Sequence, residues 1–436
     1  MKKGHDTEKT LIYQVWPIAW IKPQFKGDDR SAIRKIIDFL PHIAAEVGAR
    51  YVWLSPIFLS YWKDHGYDIA NYREIDPRFG TPEEFEELVE TAKGYDVGIL
   101  MDLVLNHTST ACQWFTDHPE YYCWSQFDKP GWKNIFDGGS SWAPEKNGNY
   151  LHLFSKGQAD LNWFPDGPSG KPNAKLVKEF RRIVDYWVSK GVAGFRLDAM
   201  QCINKDPASS KFDPLATVGK EYRPLAAKVM NAIFNGPRKN LYLLMECLDL
   251  NKEALQYYYE HTPINAIMDN TPVNTLSITA DQSVTERNLK SYVDAVTEAY
   301  KRCPQGYAHV TESHDCPRFT TAAGISGKRA IDILFGWDGE KQFIDPRTIV
   351  VFQGQELGLK NPSRKELPDE QMIELDAQTK MRAERGEALD DLRPTSRANA
   401  RVAVPLYEVL RQATDHTSCL RHFFHLQIDW ILEGDD

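Results

Sequence analysis

The amino-acid sequence predicts an α/β protein, a (β/α)8 TIM barrel with a small domain inserted after the third strand. Two patterns lead there. Short apolar runs alternate with amphipathic helical stretches over most of the 436 residues. Polar, chemistry-bearing residues recur where those runs end, which is the mouth that such barrels use for catalysis. A doubly wound open sheet is the alternative that the same alternation allows.

Leu11–Trp16 reads as the first strand, and the helix after it carries Ile33, Ile36, Ile37 and Leu40 on one face. Tyr51–Leu54 is the second strand. Thr81, Pro82 and Glu84 then announce a helix: a capping hydroxyl, a proline in the first turn, and a glutamate three residues past the cap. Its apolar face is Phe85, Leu88, Val89 and Ala92, and Gly94 ends it. Gly98–Leu105 is almost wholly apolar, as a strand buried on both faces of a parallel sheet must be.

From His107 to Pro172 the helical period vanishes while Trp, Tyr, Gly and Pro abound. That is too long for an unstructured loop. The expected organisation is therefore a first barrel part (1–106), an inserted domain (107–172) and a second barrel part (173–436). The alternation resumes with a helix burying Leu176, Val177, Phe180, Ile183, Val184, Trp187 and Val188. Strands follow at Gly194–Leu197, Leu241–Glu246, Ile264–Met268, Ala308–Thr311 and Thr348–Phe352. Residues 361–395 read as a charged, solvated helical excursion. A last helix, Ser418–Leu432, aligns Leu420, Phe423, Phe424, Ile428 and Ile431.

Composition narrows the function. The net charge of −9 disfavours a nucleic-acid binder. No apolar run reaches membrane-spanning length, and the polar start Met1–Asp6 lacks the apolar stretch of a signal peptide. The seven cysteines are scattered without a CxxC pair, which fits reduced thiols in a cytoplasmic protein and no cysteine-built metal site.

At the strand ends stand Asn106 and His107, Arg196 and Asp198, Glu246, then His314 and Asp315; Asp102 sits inside its strand and reads as structural. Any single acid could be a cap or an ion pair. Asp198 with Arg196 could be a local salt bridge, and His107 a satisfied core histidine. Three acids on three strand ends suit glycosidic chemistry, in which one carboxylate attacks the anomeric carbon and a second carboxyl protonates the leaving oxygen. No Gly-rich phosphate loop and no GxSxG elbow compete with that reading.

The motifs DLVLNH (Asp102–His107), GFRLDA (Gly194–Ala199), Glu246 at its strand end and SHD (Ser313–Asp315) resemble the α-amylase family of retaining glycosidases. QADLN (Gln158–Asn162) is similar to the QPDLN signature of the α-glucosidase and oligo-1,6-glucosidase branch. The resemblance implies Asp198 as nucleophile, Glu246 as general acid/base and Asp315 as transition-state stabiliser. It also implies that Arg196 orients Asp198 and keeps it ionised, that His107 and His314 bond glucose hydroxyls, and that Tyr67 stacks under the ring. In this branch a pair such as Asp64 and Arg401 closes the glucose subsite, which implies exo action on a small-molecule α-glucoside. Val after the nucleophile goes with α-1,6 bonds in the branch and small residues with α-1,4, so Ala199 leans to α-1,4.

The family's calcium loop after the first strand is altered here to Gly27-Asp28-Asp29-Arg30-Ser31, so no cofactor is expected. Ser313 and Cys316 stand where the family has Asn and Gln. The β-sandwich domain that the family adds after the barrel is expected to be absent, by natural reduction or by truncation, and the apolar face left bare is expected to favour self-association or instability. A sucrose- or maltose-using glucosyltransferase or isomerase shares every catalytic residue and is the enzymatic alternative. A catalytically silent binding or chaperone relative is the non-enzymatic one.

Overall fold

The computed structural model describes residues 8–136, 138–212, 223–247, 252–269, 276, 282–361, 401 and 403–432. Eight strands close into one parallel barrel: β1 (Thr10–Val15), β2 (Tyr51–Leu54), β3 (Gly98–Val104), β4 (Gly194–Asp198), β5 (Tyr242–Glu246), β6 (Ala266–Met268), β7 (Tyr307–Val310) and β8 (Thr348–Phe352). Their order is the chain order, and β8 returns to pair with β1, Thr10 opposite Thr348 and Gln14 opposite Phe352. The doubly wound alternative is thereby excluded. Helices follow the strands in turn: α1 (Ala32–Ala45), α2 (Pro82–Gly94), α3 (Ala174–Ser189), α4 (Arg223–Ile233), α5 (Lys252–His261), α6 (Gln282–Arg302), α7 (Gly327–Leu334) and α8 (Cys419–Leu432).

Chain density divides the protein into two compact units. One holds Met1–Val52, Thr91–Val97 and Met268–Asp436, and the other holds Trp53–Glu90 and Gly98–Ile267.

Local signals account for the element ends. The α2 capping box forms in both directions: Glu84 N–H donates to Thr81 Oγ1 at 3.2 Å, and Thr81 N–H donates to Glu84 Oε2 at 2.9 Å. Ser31 caps α1 through Arg34 N–H, and Asn173 caps α3 through Lys175 and Leu176 N–H. Gly194 opens β4 because a Cβ there would lie 1.9 Å from the Tyr242 carbonyl oxygen on β5. Two predicted faces need correction. Val188 is exposed, and the buried stripe of α3 ends at Trp187. On α8 the buried stripe is Leu420, Phe423, Gln427 and Trp430, while Ile428 and Ile431 face outward and Phe424 is half-buried. Gln427 joins the stripe by packing its amide against Gly48.

Between β3 and α3, His107–Ser109 pairs antiparallel with Gln158–Asp160, and Gly148–Leu151 runs between Trp124–Ser125 and Trp142–Glu145. Trp132, Trp142, Leu151, Leu153 and Cys123 form an apolar core that also takes in Ala199 and Cys202, just past the end of β4. Lys211–Phe212 adds a parallel bridge to Gly131–Trp132. The charged stretch read at 361–395 lies, after Asn361, outside the described residues. No helix among the described residues is long and apolar enough to cross a membrane. None of the seven cysteines is in a disulfide.

Candidate active site

Residues i and i+2 of a strand share a face, so Arg196 and Asp198 on β4 point the same way. Arg196 is fully buried, and its Nη1 donates to Asp198 Oδ1 at 2.5 Å and to both Asp102 oxygens at 2.9 and 3.0 Å. Its Nη2 lies 2.6 Å from Glu246 Oε2. Strands β3, β4 and β5 are adjacent, so three carboxyls from three neighbouring strands meet around one guanidinium. Asp102 is held further by Tyr67 Oη at 3.0 Å and Trp53 Nε1 at 3.2 Å. Its expected structural role is therefore met as an anchor for Arg196.

Ala199 follows Asp198 in a left-handed conformation, φ 44°. Non-glycine residues rarely adopt it, and strain of this kind gathers at functional sites. Here it accompanies a hydrogen bond from Ala199 N–H to Glu246 Oε2 at 3.1 Å. The general acid/base candidate is thus tied to the backbone beside the nucleophile candidate.

Burial and Arg196 act on Asp198 in opposite directions. Arg196 does favour ionised Asp198, but burial is the larger influence, and Glu246 and Asp102 add repulsion, so the Asp198 carboxyl is raised well above the usual range. Burial likewise raises Asp102 against the pull of Arg196. One cation thus faces three buried carboxyls, and burial and mutual repulsion work against Arg196 in setting their charge. Burial opposes the charge on Arg196, and Asp102, Glu246, Tyr67 and Asp198 outweigh it, so its protonation is firm.

Beside this cluster lies a chain of buried polar groups. Gln158 Nε2 donates to Asp64 Oδ2 at 2.9 Å and faces His107 Nε2 at 3.1 Å. His107 Nδ1 faces the Asn106 amide at 3.2 Å. Burial lowers the His107 pKa to about 4, so its ring is neutral at neutral pH. Asn106 in turn donates to Asp160 Oδ1 at 3.0 Å and accepts from Lys205 Nζ at 2.6 Å. Lys205 is 4% exposed and also meets Asp160 at 2.8 Å and the Cys202 carbonyl at 3.1 Å. Sequence reasoning missed Lys205 entirely and gave Gln158 and Asp160 no role. The QADLN block was their only signal, and nothing in the spacing marks a lysine seven residues past Asp198.

In the other unit, His314 and Asp315 follow β7. Gln14 Nε2 sits 2.6 Å from His314 Nδ1 and donates to it, so His314 carries its proton on Nε2, which faces Asp315 Oδ2 at 3.1 Å. Trp16 stacks on His314 at 4.9 Å and 18°. Arg401 donates through Nε to the His314 carbonyl at 2.8 Å, lies 3.5 Å from Asp315 Oδ1 through Nη2, and places its guanidinium over Trp16. The predicted site residues thus fall into two groups: Asp198, Glu246, Arg196, Tyr67, His107 and Asp64 in one unit, and His314, Asp315 and Arg401 in the other. Among the described residues, no group of three or more His, Cys, Asp or Glu side chains could hold a metal ion.

Residues 23–404 match the family described as alpha amylase, catalytic domain. The trehalose-6-phosphate hydrolase of Escherichia coli is 27% identical over 410 residues, covering 85% of this chain and 69% of that protein. The glucan 1,6-alpha-glucosidase of Streptococcus pneumoniae and the oligo-1,6-glucosidase of Parageobacillus thermoglucosidasius are 35% and 34% identical over 57% and 58% of this chain. Those alignments cover only 45% and 43% of the two relatives, so the matched segment spans less than half of their length. In architecture, the trehalose-6-phosphate hydrolase of Bacillus licheniformis superposes with a TM-score of 0.78 at 24% identity, over 98% of this chain and 83% of that one. An isomaltulose synthase from Klebsiella sp. LX3 gives 0.78 at 21%, over 99% and 85%.

Proposed function

The chain belongs to the alpha-amylase catalytic-domain family, and from that premise we propose that it is a retaining, exo-acting α-glucosidase for short α-linked gluco-oligosaccharides or glucosides. Asp198 attacks the anomeric carbon and forms a glucosyl ester, while Glu246 passes its proton to the departing glycosidic oxygen. Glu246 then takes a proton from water, which attacks the anomeric carbon and releases Asp198. An acceptor sugar in place of that water gives transglycosylation. Asp315 takes the stabilising role that its motif carries, His107 and His314 receive glucose hydroxyls, and Tyr67 supports the ring. Exo action follows from the resemblance at Asp64 and Arg401, and Ala199 favours α-1,4 bonds.

The observation that carries the proposal is the single guanidinium of Arg196 bonded to Asp198 Oδ1 and placed 2.6 Å from Glu246 Oε2. One guanidinium gathers both carboxyls at one site, as a double displacement at a single anomeric carbon needs, and retention itself is what the resemblance implies. The names of the relatives support an α-glucosidic substrate without choosing its linkage.

Product analysis on maltose, isomaltose, trehalose and sucrose, with Asp198→Asn as control, tests the proposal. Glucose release that vanishes in the control is expected. Isomeric disaccharides as the main products would favour the transferase reading, and turnover surviving in Asp198→Asn would remove the nucleophile.

A further inference from the structure

A lysine ammonium is buried among oxygens in the loop between the short helix Ile18–Ile21 and α1. Lys35, in the first turns of α1, is 3% exposed. Its Nζ donates to the carbonyls of Trp20 at 3.1 Å, Lys22 at 3.0 Å and Ile21 at 3.4 Å, and lies 3.7 Å from Asp28 Oδ2. Asp28 is itself buried. Its Oδ1 accepts from Arg30 Nε at 2.7 Å and its Oδ2 from Gln24 N–H at 3.0 Å. The Arg30 bond, foremost, holds the Asp28 carboxyl far below the usual carboxylate range.

Three carbonyls and a carboxylate are the hard oxygens that a calcium ion takes, and the family's loop at this place is a calcium loop. A divalent ion does not fit the present residues. The ammonium already stands among the oxygens, Arg30 adds a second positive charge beside Asp28, and the other carboxylate that Arg30 meets, Asp38, lies on its exposed side away from the three carbonyls. The three carbonyls end the helix Ile18–Ile21 and need donors. A lysine supplies three.

We propose that Lys35 is the resident cation of this loop, that it replaces the metal, and that it positions Trp16. The link to Trp16 is short: Gln353 Oε1 accepts both Trp20 Nε1–H at 3.0 Å and Trp16 N–H at 2.8 Å. Trp16 carries the His314 stack and the Arg401 guanidinium. The proposal stands apart from the proposed activity, because its main readout is unfolding.

The test is thermal unfolding of the full chain with EDTA and then with calcium chloride, for wild type, Lys35→Met and Lys35→Arg, with KM and kcat on an aryl α-glucoside alongside. Wild type keeps its Tm in both solutions. Lys35→Met loses several degrees through three undonated carbonyls, and its Tm rises saturably with calcium. Lys35→Arg retains charge and donors and keeps most of the Tm. KM rises in Lys35→Met more than kcat falls, as expected of a residue acting through Trp16. A wild-type Tm lowered by EDTA would overturn the replacement of metal. A Lys35→Met protein as stable as wild type would overturn the need for a cation. If Lys35→Met does not fold, the EDTA arm still decides on the metal, and a Lys35→Arg protein that also fails would overturn the role of charge.

Discussion

Arg196 Nη1 donates to Asp198 Oδ1 at 2.5 Å, two residues along the same strand and on the same face. The bond orients the carboxylate, but it does not balance the charge. Asp102 and Glu246 lean on the same guanidinium, so three buried carboxyls share one positive charge and repel one another. A site that strains against its own charges stabilises positive charge developing at an anomeric carbon.

Asp198→Asn should therefore separate activity from stability. Turnover of an aryl α-glucoside is expected to fall by about 10³-fold or more, since the ester intermediate can no longer form. The Tm is expected to rise by a few degrees, because one buried like charge is gone. Steady-state rates and a calorimetric scan on the same preparation check both.

The raised Asp198 pKa has a definite sign for stability. Between the unfolded carboxyl, near about pH 4, and the higher native value, the native state binds more protons than the unfolded chain. Stability then falls as pH rises through that window. Urea unfolding from acid to neutral pH should show Asp198→Asn and wild type converging at low pH, with the variant gaining advantage as pH rises. Wild type gaining on the variant with rising pH would mean that Arg196, not burial, rules this carboxyl.

Arg196→Met should be costly in the opposite way. Three buried carboxyls would lose their one shared cation, and breaking a buried ion pair from one side costs about 3–5 kcal/mol. Denaturant unfolding should show that loss near neutral pH and a smaller one in acid, where the carboxyls carry protons.

Lys205→Met should loosen the join between β3, the Gln158–Asp160 strand and the turn after Asp198. Its three contacts, Asn106, Asp160 and the Cys202 carbonyl, come from those three segments. A loss of about 3 kcal/mol is expected, since Asp160 is left buried without its cation. Hydrogen exchange should quicken in His107–Ser109 and Gln158–Asp160 more than in β7 and β8.

The barrel was legible because its signals are local and repeated: apolar strands, capped helices and polar residues at strand ends. Asp198, Arg196 and Glu246 stood out because motifs place them at adjacent strand ends. Asp102 was legible only as a residue inside a strand, and its partnership with Arg196 needed the register of β3 against β4, where the two lie side by side. Lys205 and Lys35 were invisible. A buried lysine is identified by the oxygens that fold around it, and those come from segments whose meeting no local pattern announces. Ile428 and Ile431 misled because helical periodicity shows that a face is apolar without showing which neighbour covers it. The effect of burial on Asp198 was illegible for a related reason: an adjacent arginine is visible in the sequence, whereas complete burial is not.

The central claim is that Asp198 and Glu246 act on one anomeric carbon from opposite sides by double displacement. Proton NMR of the first glucose released from an aryl α-glucoside, recorded before mutarotation, tests it most directly. The α-anomer appearing first is the predicted result, and the β-anomer appearing first would contradict it.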